Sequence, residues 1–433
     1  MTQSETPQLR RSLGFWALAI YGIGDILGAG IYALVGKVAG VAGSASWLSF
    51  AIALAVAALT AITYAELGGR FPKSAGESFF AEQAFRKRGL ALVVGWVVLC
   101  SGILSLATVS VAFGGYMTGL VPGLPVPVTI VGILLLLAAI NFRGMRESST
   151  INIVATMIEL TGLLIVIVVG ALFLAEEPQA GVSQTVAASG EVAWNGIARG
   201  AALSFFAFIG FEDMVNVAEE VKDPERNMPR AILTALVVTG FVYLLVVIVA
   251  TSVVPPALLE DSKAPLLLVV QRSTDAVPDR LFTLIALFAV ANTGLLNFIM
   301  GSRLLYGMSR QGLLPSAFGR VHPKRRTPHV AIATVLAVAL LLALSGTLTY
   351  LAGTTSLLLL MVFFTINVSL IVIKRRDQVP PQTFRAPAAV PLIGAATCLA
   401  LMPFVPSGSI LTATAVLVMG SSLVWLRDHR SSA

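Results

Sequence analysis

Apolar residues in this chain run in blocks of roughly 20, the length that crosses a bilayer, rather than in the narrow stripe of a water-facing helix. With Pro, Gly and charge as punctuation, the pattern predicts twelve spans at 13–39, 44–68, 89–119, 126–142, 149–174, 195–220, 229–254, 280–308, 328–345, 350–373, 387–405 and 408–426. Blocks this long predict helices, not the short alternating strands of a barrel. The expected fold is therefore all-α and embedded in lipid.

Composition agrees: of 433 residues, 57% are hydrophobic and 12% charged, with a mean hydropathy of +0.88. A soluble domain carries about a quarter charged residues. The net charge of +7 suggests nucleic acid until its location is considered, because it lies in the loops. With the N-terminus inside, 24 of the 29 Lys and Arg fall on one side, leaving Lys37, Arg199, Lys263, Arg272 and Arg280 near outer span ends. Positive residues are retained in the cytoplasm, so both termini are expected inside an inner (plasma) membrane, with no nucleic-acid partner. Cys100 and Cys398 sit within apolar blocks, which argues against a disulfide scaffold. No small-residue cleavage site follows the first block, which reads as a retained span.

Transporters built from inverted repeats place an interrupted helix at matching positions in their two halves. The first span carries Gly22, Gly24, Gly28 and Gly30; the sixth carries Gly210 within FFAFIGFED, five spans later. An odd offset inverts one half relative to the other.

Three stretches carry a family resemblance: GIGDILGAGIYALVG from Gly22, YAELGGRFPKSAGESFFAEQAF from Tyr64, and FFAFIGFEDMVNVAEEVKDPERNMPRAI from Phe205. They resemble the first helix, the second-helix exit with its inner loop, and the sixth helix of the amino acid, polyamine and organocation permease superfamily. The resemblance implies a leucine-transporter-type five-plus-five repeat with broken helices one and six. Its parts would be a tail 1–12, repeats 13–174 and 195–373, accessory helices 387–426 and a tail 427–433.

A broken helix offers binding groups without full charges. Unwinding at Gly28, Ala29 and Gly30 would expose N–H groups at a half-helix start, where a substrate carboxylate is favoured. A break around Phe208 to Phe211, which contains Gly210, would free carbonyls for an ammonium. By resemblance the carbonyls of Ile26, Phe206, Ala207 and Ile209 accept it, and the Phe206 ring matches a gate, with ordinary packing as the alternative.

An ionised carboxylate at mid-bilayer costs several kcal/mol unless paired or wet. Glu159 lies roughly 15 Å into span five, Asp25 at similar depth in span one, and Glu212 beside Asp213 just after the second break. Some relatives share the pattern Asn152-x-x-x-Thr156 but carry lysine where Glu159 stands, so the expected role of Glu159 is to hold a proton or cation. Asp25 would favour an extra positive charge on the substrate if it faces the cavity; Lys37, about 18 Å along the helix, is too far to pair. Glu212 matches a family acid linked to proton sensing, with capping of the break as a second role. Thr293 and Asn292 could give oxygens to a sodium site. Glu66, Glu219, Glu220 and Arg303, near the inner boundary, are expected to serve structure or gating.

The expected activity is secondary transport of an amino acid or related amine by alternating access, with a proton as coupling ion. Sodium coupling, exchange and a non-transporting receptor are the rivals. Loop histidines His322, His329 and His429 offer no metal spacing, so neither an enzyme nor a metal site is expected. No cofactor beyond the ion, and no protein partner, is predicted.

Overall fold

The computed structural model describes residues 11, 13–72, 76–143, 149–177, 194–310, 312, 314–376 and 384–430, with backbone only at 149–152 and 426–430. Arg10, Lys73, Arg146, most of the expected N-terminal tail, residues 431–433 and the Asn152 side chain lie outside these described residues. Among them the chain is helical, and its one β-bridge joins Leu13 to Val221.

Span one is two helices, α1 (Phe15–Ile26) and α2 (Ala29–Ala42), and span two is α3 (Ser46–Arg70). A short helix, α4 (Gly76–Phe85), precedes α5 (Arg88–Leu120), α6 (Val126–Arg143) and α7 (Ser149–Glu176). Span six opens as α8 (Trp194–Ser204), tightens into a 3₁₀ turn at Phe205–Phe208, and resumes as a 3₁₀ run at Phe211–Glu220. Then follow α9 (Pro224–Val253), the short α10 (Pro256–Asp261) and α11 (Pro265–Ser273), and α12 (Asp279–Arg310). The last spans are α13 (His329–Ser345), α14 (Leu348–Arg376), α15 (Ala389–Leu401) and α16 (Ser407–Arg430).

Nine segments among the described residues are long and apolar enough to cross a membrane; one, Phe15–Arg70, holds both of the first two spans. Shorter apolar helices at His329–Ser345 and Ala389–Phe404 supply the ninth and eleventh. The largest departure from expectation is α9, which starts at Pro224 rather than 229. Proline is at home in a first turn, where its missing N–H has no helical partner anyway. Phe241, Leu341 and Leu411 are exposed on outer faces, as lipid contact allows and water would not.

One group of helices packs α9 on α1 and α3, with α8 on α2 and α3. A second packs α12 on α5 and α6, with α13 against them. α7 lies between, touching α1, α9 and α12. At the α4 face, the Leu13 N–H donates to the Glu220 carbonyl (3.0 Å) and the Lys222 N–H to the Leu13 carbonyl (2.9 Å). The entry to span one is thus strapped to the exit from span six.

Candidate functional site

The first break is two residues long. α1 ends at Ile26, and Gly28 leaves helical geometry at φ −49°, ψ −155° before α2 begins. Backbone freed inside a membrane must find partners, and here it does. The Tyr243 hydroxyl donates to the Ile26 carbonyl, and the Ala29 N–H donates to Thr293 Oγ1 at 2.9 Å. A Cβ on Gly28 would collide with that Thr293 side chain.

In the second break Ile209 is extended, and Gly210 adopts φ +130°, a conformation that L side chains rarely take. Glu212 Oε2 accepts the Gly210 N–H at 2.8 Å, and the Ile209 N–H returns to the Phe206 carbonyl at 3.3 Å. A Cβ on Gly210 would lie 2.8 Å from the Asp25 carbonyl, and one on Gly30 would lie 2.5 Å from Ala207 Cα. The two breaks therefore touch at two points.

Glu159 is buried behind the first break. Asn292 Nδ2 donates to its Oε1 at 3.0 Å, while Oε2 has no hydrogen-bond partner. The Tyr32 hydroxyl donates to the Glu159 backbone carbonyl at 3.0 Å, and Tyr116 to the Tyr32 carbonyl at 3.0 Å. A Cβ on Gly24 would overlap the Thr156 hydroxyl, so the α1 backbone at Gly24 lies directly against a side chain of α7.

Toward the α4 face lies a cavity of about 510 Å³. Asp25, Glu77, Asp213 and Glu220 line it, with Arg303 among them. Asp213 accepts a hydrogen bond from Asn216 (3.3 Å), and Glu77 accepts one from the Tyr64 hydroxyl (3.1 Å). Four carboxyl groups against one guanidinium make the space electronegative.

A broken-helix pair with a polar cavity beneath it is a transporter's geometry, and comparison with known proteins decides the family: the profile described as amino acid permease matches residues 13–426. The chain belongs to the amino acid permease family. The permease resembles a methylthioribose transporter of Bacillus subtilis (strain 168), 29% identical over 99% of this chain and 96% of that one. It is 29% identical to the branched-chain amino acid permease BcaP of the same organism, over 89% and 85% of the two chains. Human cationic amino acid transporter 4 is 30% identical over 87% of this chain and 61% of its own. The permease is thus a multi-pass membrane transporter and not an enzyme. Its relatives are named for three kinds of cargo, so family membership leaves the cargo open.

Within the permease, the structure brings Asp25, Ile26, Gly28, Ala29, Gly30, Phe206, Ala207, Ile209 and Gly210 together at the crossing of the two breaks. Glu159 and Thr293 stand on the α7 and α12 side of it, and Glu212 caps the second break. Several groups expected to meet substrate are already bonded: the Ala29 N–H to Thr293, the Ile26 carbonyl to Tyr243, the Phe206 carbonyl to Ile209. A carbonyl keeps a second lone pair, whereas an N–H has nothing more to give. Lys37 bonds the Glu260 carbonyl rather than Asp25. Glu66 is fully buried and ion-paired to Lys374 at 2.8 Å, and it also accepts the Ala386 N–H at 2.7 Å. Tyr32, Tyr243 and Glu77 were not singled out from sequence, and Asn292, expected beside a sodium site, instead donates to Glu159. The signal for the tyrosines was present: a phenol in an aliphatic span needs a polar partner.

Proposed function

We propose that this permease moves an amino acid or related amine bearing an extra positive charge across the plasma membrane by alternating access, in symport with a proton. The observation that carries the reading is the position of Asp25. Its backbone meets the second break at Gly210, while its residue lines the electronegative cavity with Glu77, Asp213 and Glu220. The substrate carboxylate goes to the N–H groups of Gly28 and Gly30, and its ammonium to the carbonyls of Ile26, Phe206, Ala207 and Ile209. The second cationic group goes toward Asp25 and Asp213.

The Ala29–Thr293 bond ties the first break to α12, and loading the break with substrate competes with that tie. The bundle of spans one, two, six and seven then rocks against the rest. We read 13–174 and 195–373 as the inverted repeats, 387–426 as accessory helices, and the α4 face as cytoplasmic. The proton is carried by Glu159 at Oε2, because a buried carboxylate oxygen with no partner is costly while charged. Sodium has less support, since Thr293 Oγ1 already serves the Ala29 N–H and donates to the Ala289 carbonyl.

The test is uptake of labelled arginine, lysine, putrescine and leucine into proteoliposomes, with proton and sodium gradients imposed separately and the membrane potential clamped. Proton-driven uptake of the cationic compounds is expected. Uptake of leucine alone removes the Asp25 argument, sodium dependence removes the proton, and exchange without net uptake replaces symport.

A further inference from the structure

At the α4 face the end of α4, the start of α5 and the end of α14 enclose an open cavity of about 430 Å³ that no residue of the helix breaks lines. Arg86, Arg88 and Arg376 line it with Glu82 and Gln83. Three guanidinium groups face one carboxylate, and Lys87 is exposed alongside. Arg376 is held in place by donating to the carbonyls of Ala84 (3.2 Å) and Gln83 (2.8 Å). Arg86 sits at φ +52°, where a helix end usually places glycine or asparagine. The site lies where the apolar blocks of spans three and ten give way to charged residues at Arg88 and Arg376.

A second feature starts one turn further along α5. Arg88, Leu92 and Trp96 recur every four residues and share one face of α5. Leu92 and Trp96 line a slight apolar crease of about 10 Å³ completed by Met308 of α12 and by Gly420, Leu423 and Val424 of α16. The Trp96 Nε1–H donates to the Val416 carbonyl at 3.0 Å, which satisfies the polar edge of the indole and leaves its apolar body to the crease. At the helical rise, Leu92 lies roughly 6 Å and Trp96 roughly 12 Å deeper than Arg88.

We propose that this face binds one anionic phospholipid, its phosphodiester among Arg86, Arg88 and Arg376 and an acyl chain lying across the apolar surface at Leu92 and Trp96. Guanidinium forks match phosphate oxygens bidentately. A zwitterionic lipid brings its own cation into a cavity that already holds an excess of three to one, and is disfavoured. A free phosphate ion uses the cavity but gains nothing from the apolar surface.

The experiment is native mass spectrometry of the full-length protein, delipidated in detergent and titrated with phosphatidylglycerol or phosphatidylcholine of matched acyl chains. Preferential retention of one phosphatidylglycerol is expected. The exposed pair Arg86→Gln/Arg88→Gln should lower it by roughly tenfold or more, as two lost surface cations would, and Leu92→Gln should weaken it independently. Lys324→Gln/Arg325→Gln, on a distant exposed loop, should leave it unchanged. The proposal is overturned by equal retention of the two lipids, by unaltered retention in the Arg86/Arg88 variant, or by an equal loss in the loop variant. Displacement of the lipid by inorganic phosphate, with Leu92→Gln silent, reduces the site to a simple anion pocket and overturns it as well.

Discussion

Glu159 holds one carboxyl oxygen against Asn292 and leaves the other buried without a hydrogen-bond partner. If that oxygen carries the coupling proton, Glu159→Gln keeps the shape and removes the titration. Gradient-driven accumulation should then vanish while exchange of substrate persists; full pH-driven uptake by Glu159→Gln would remove the residue from coupling. Glu77 gives a separate handle outside the spans. Burial pushes its carboxyl above the ordinary value of 4.5, against opposing hydrogen bonds from its own backbone and Tyr64. The folded protein keeps that proton over a range in which the unfolded chain has lost it, so this group's contribution to stability falls as pH rises above 4.5. In Glu77→Gln, where the amide oxygen can still accept from Tyr64, thermal midpoints should fall less steeply with pH; parallel curves for the two proteins would refute the assignment. The three acids Asp25, Glu159 and Glu212 were legible because a carboxylate inside an apolar block is conspicuous in any sequence. Tyr243 was not, and the partner of Asn292 was not, because both depend on which face of α9 or α12 turns inward, and a block apolar all round carries no such phase.

The broken spans are elements whose irregularity is stabilised from outside. Thr293, Tyr243 and Glu212 each come from beyond the break they satisfy or from the segment just past it. Glycine clusters placed both breaks to within two residues, since few other residues permit backbone contact such as Gly210 against Asp25. The Glu212 cap on the second break was legible, two residues from Gly210, whereas the bonding of the first break was not, for Tyr243 and Thr293 lie 217 and 264 positions from the groups they satisfy. Gly30→Val inserts a branched side chain where even a Cβ would lie 2.5 Å from Ala207 Cα. Substrate binding, measured by equilibrium dialysis on folded protein, should be lost; normal affinity would displace the proposed site. Helix α4 went unseen in the sequence for a different reason. It is short and moderately polar, and its order comes from packing on α5 and α14.

Across the whole molecule, the twelve spans were legible because lipid imposes one length scale on every element. What holds span two against span ten was not. Thr60 and Thr63 bond Asn367 at 3.0 and 2.7 Å, and Glu66 bonds Lys374 one to two turns further on. Lys374→Met strands a carboxylate with no exposure, which typically costs about 3–5 kcal/mol. The variant should melt well below the parent in detergent, and adding Glu66→Leu should restore much of the loss. A single variant as stable as the parent would show that the pair is not holding these spans together.

The strap between Leu13 and the chain at Glu220 and Lys222 bears on how the protein can be handled. Residue 13 is also where the match to the family begins. A reporter fused directly at that point would pull on two pivots at once, because the backbone that enters the first broken span is bonded to the backbone that leaves the second. Probes meant to follow one pivot would report both, and labels placed on α1 and on the Phe211–Glu220 run should change in step.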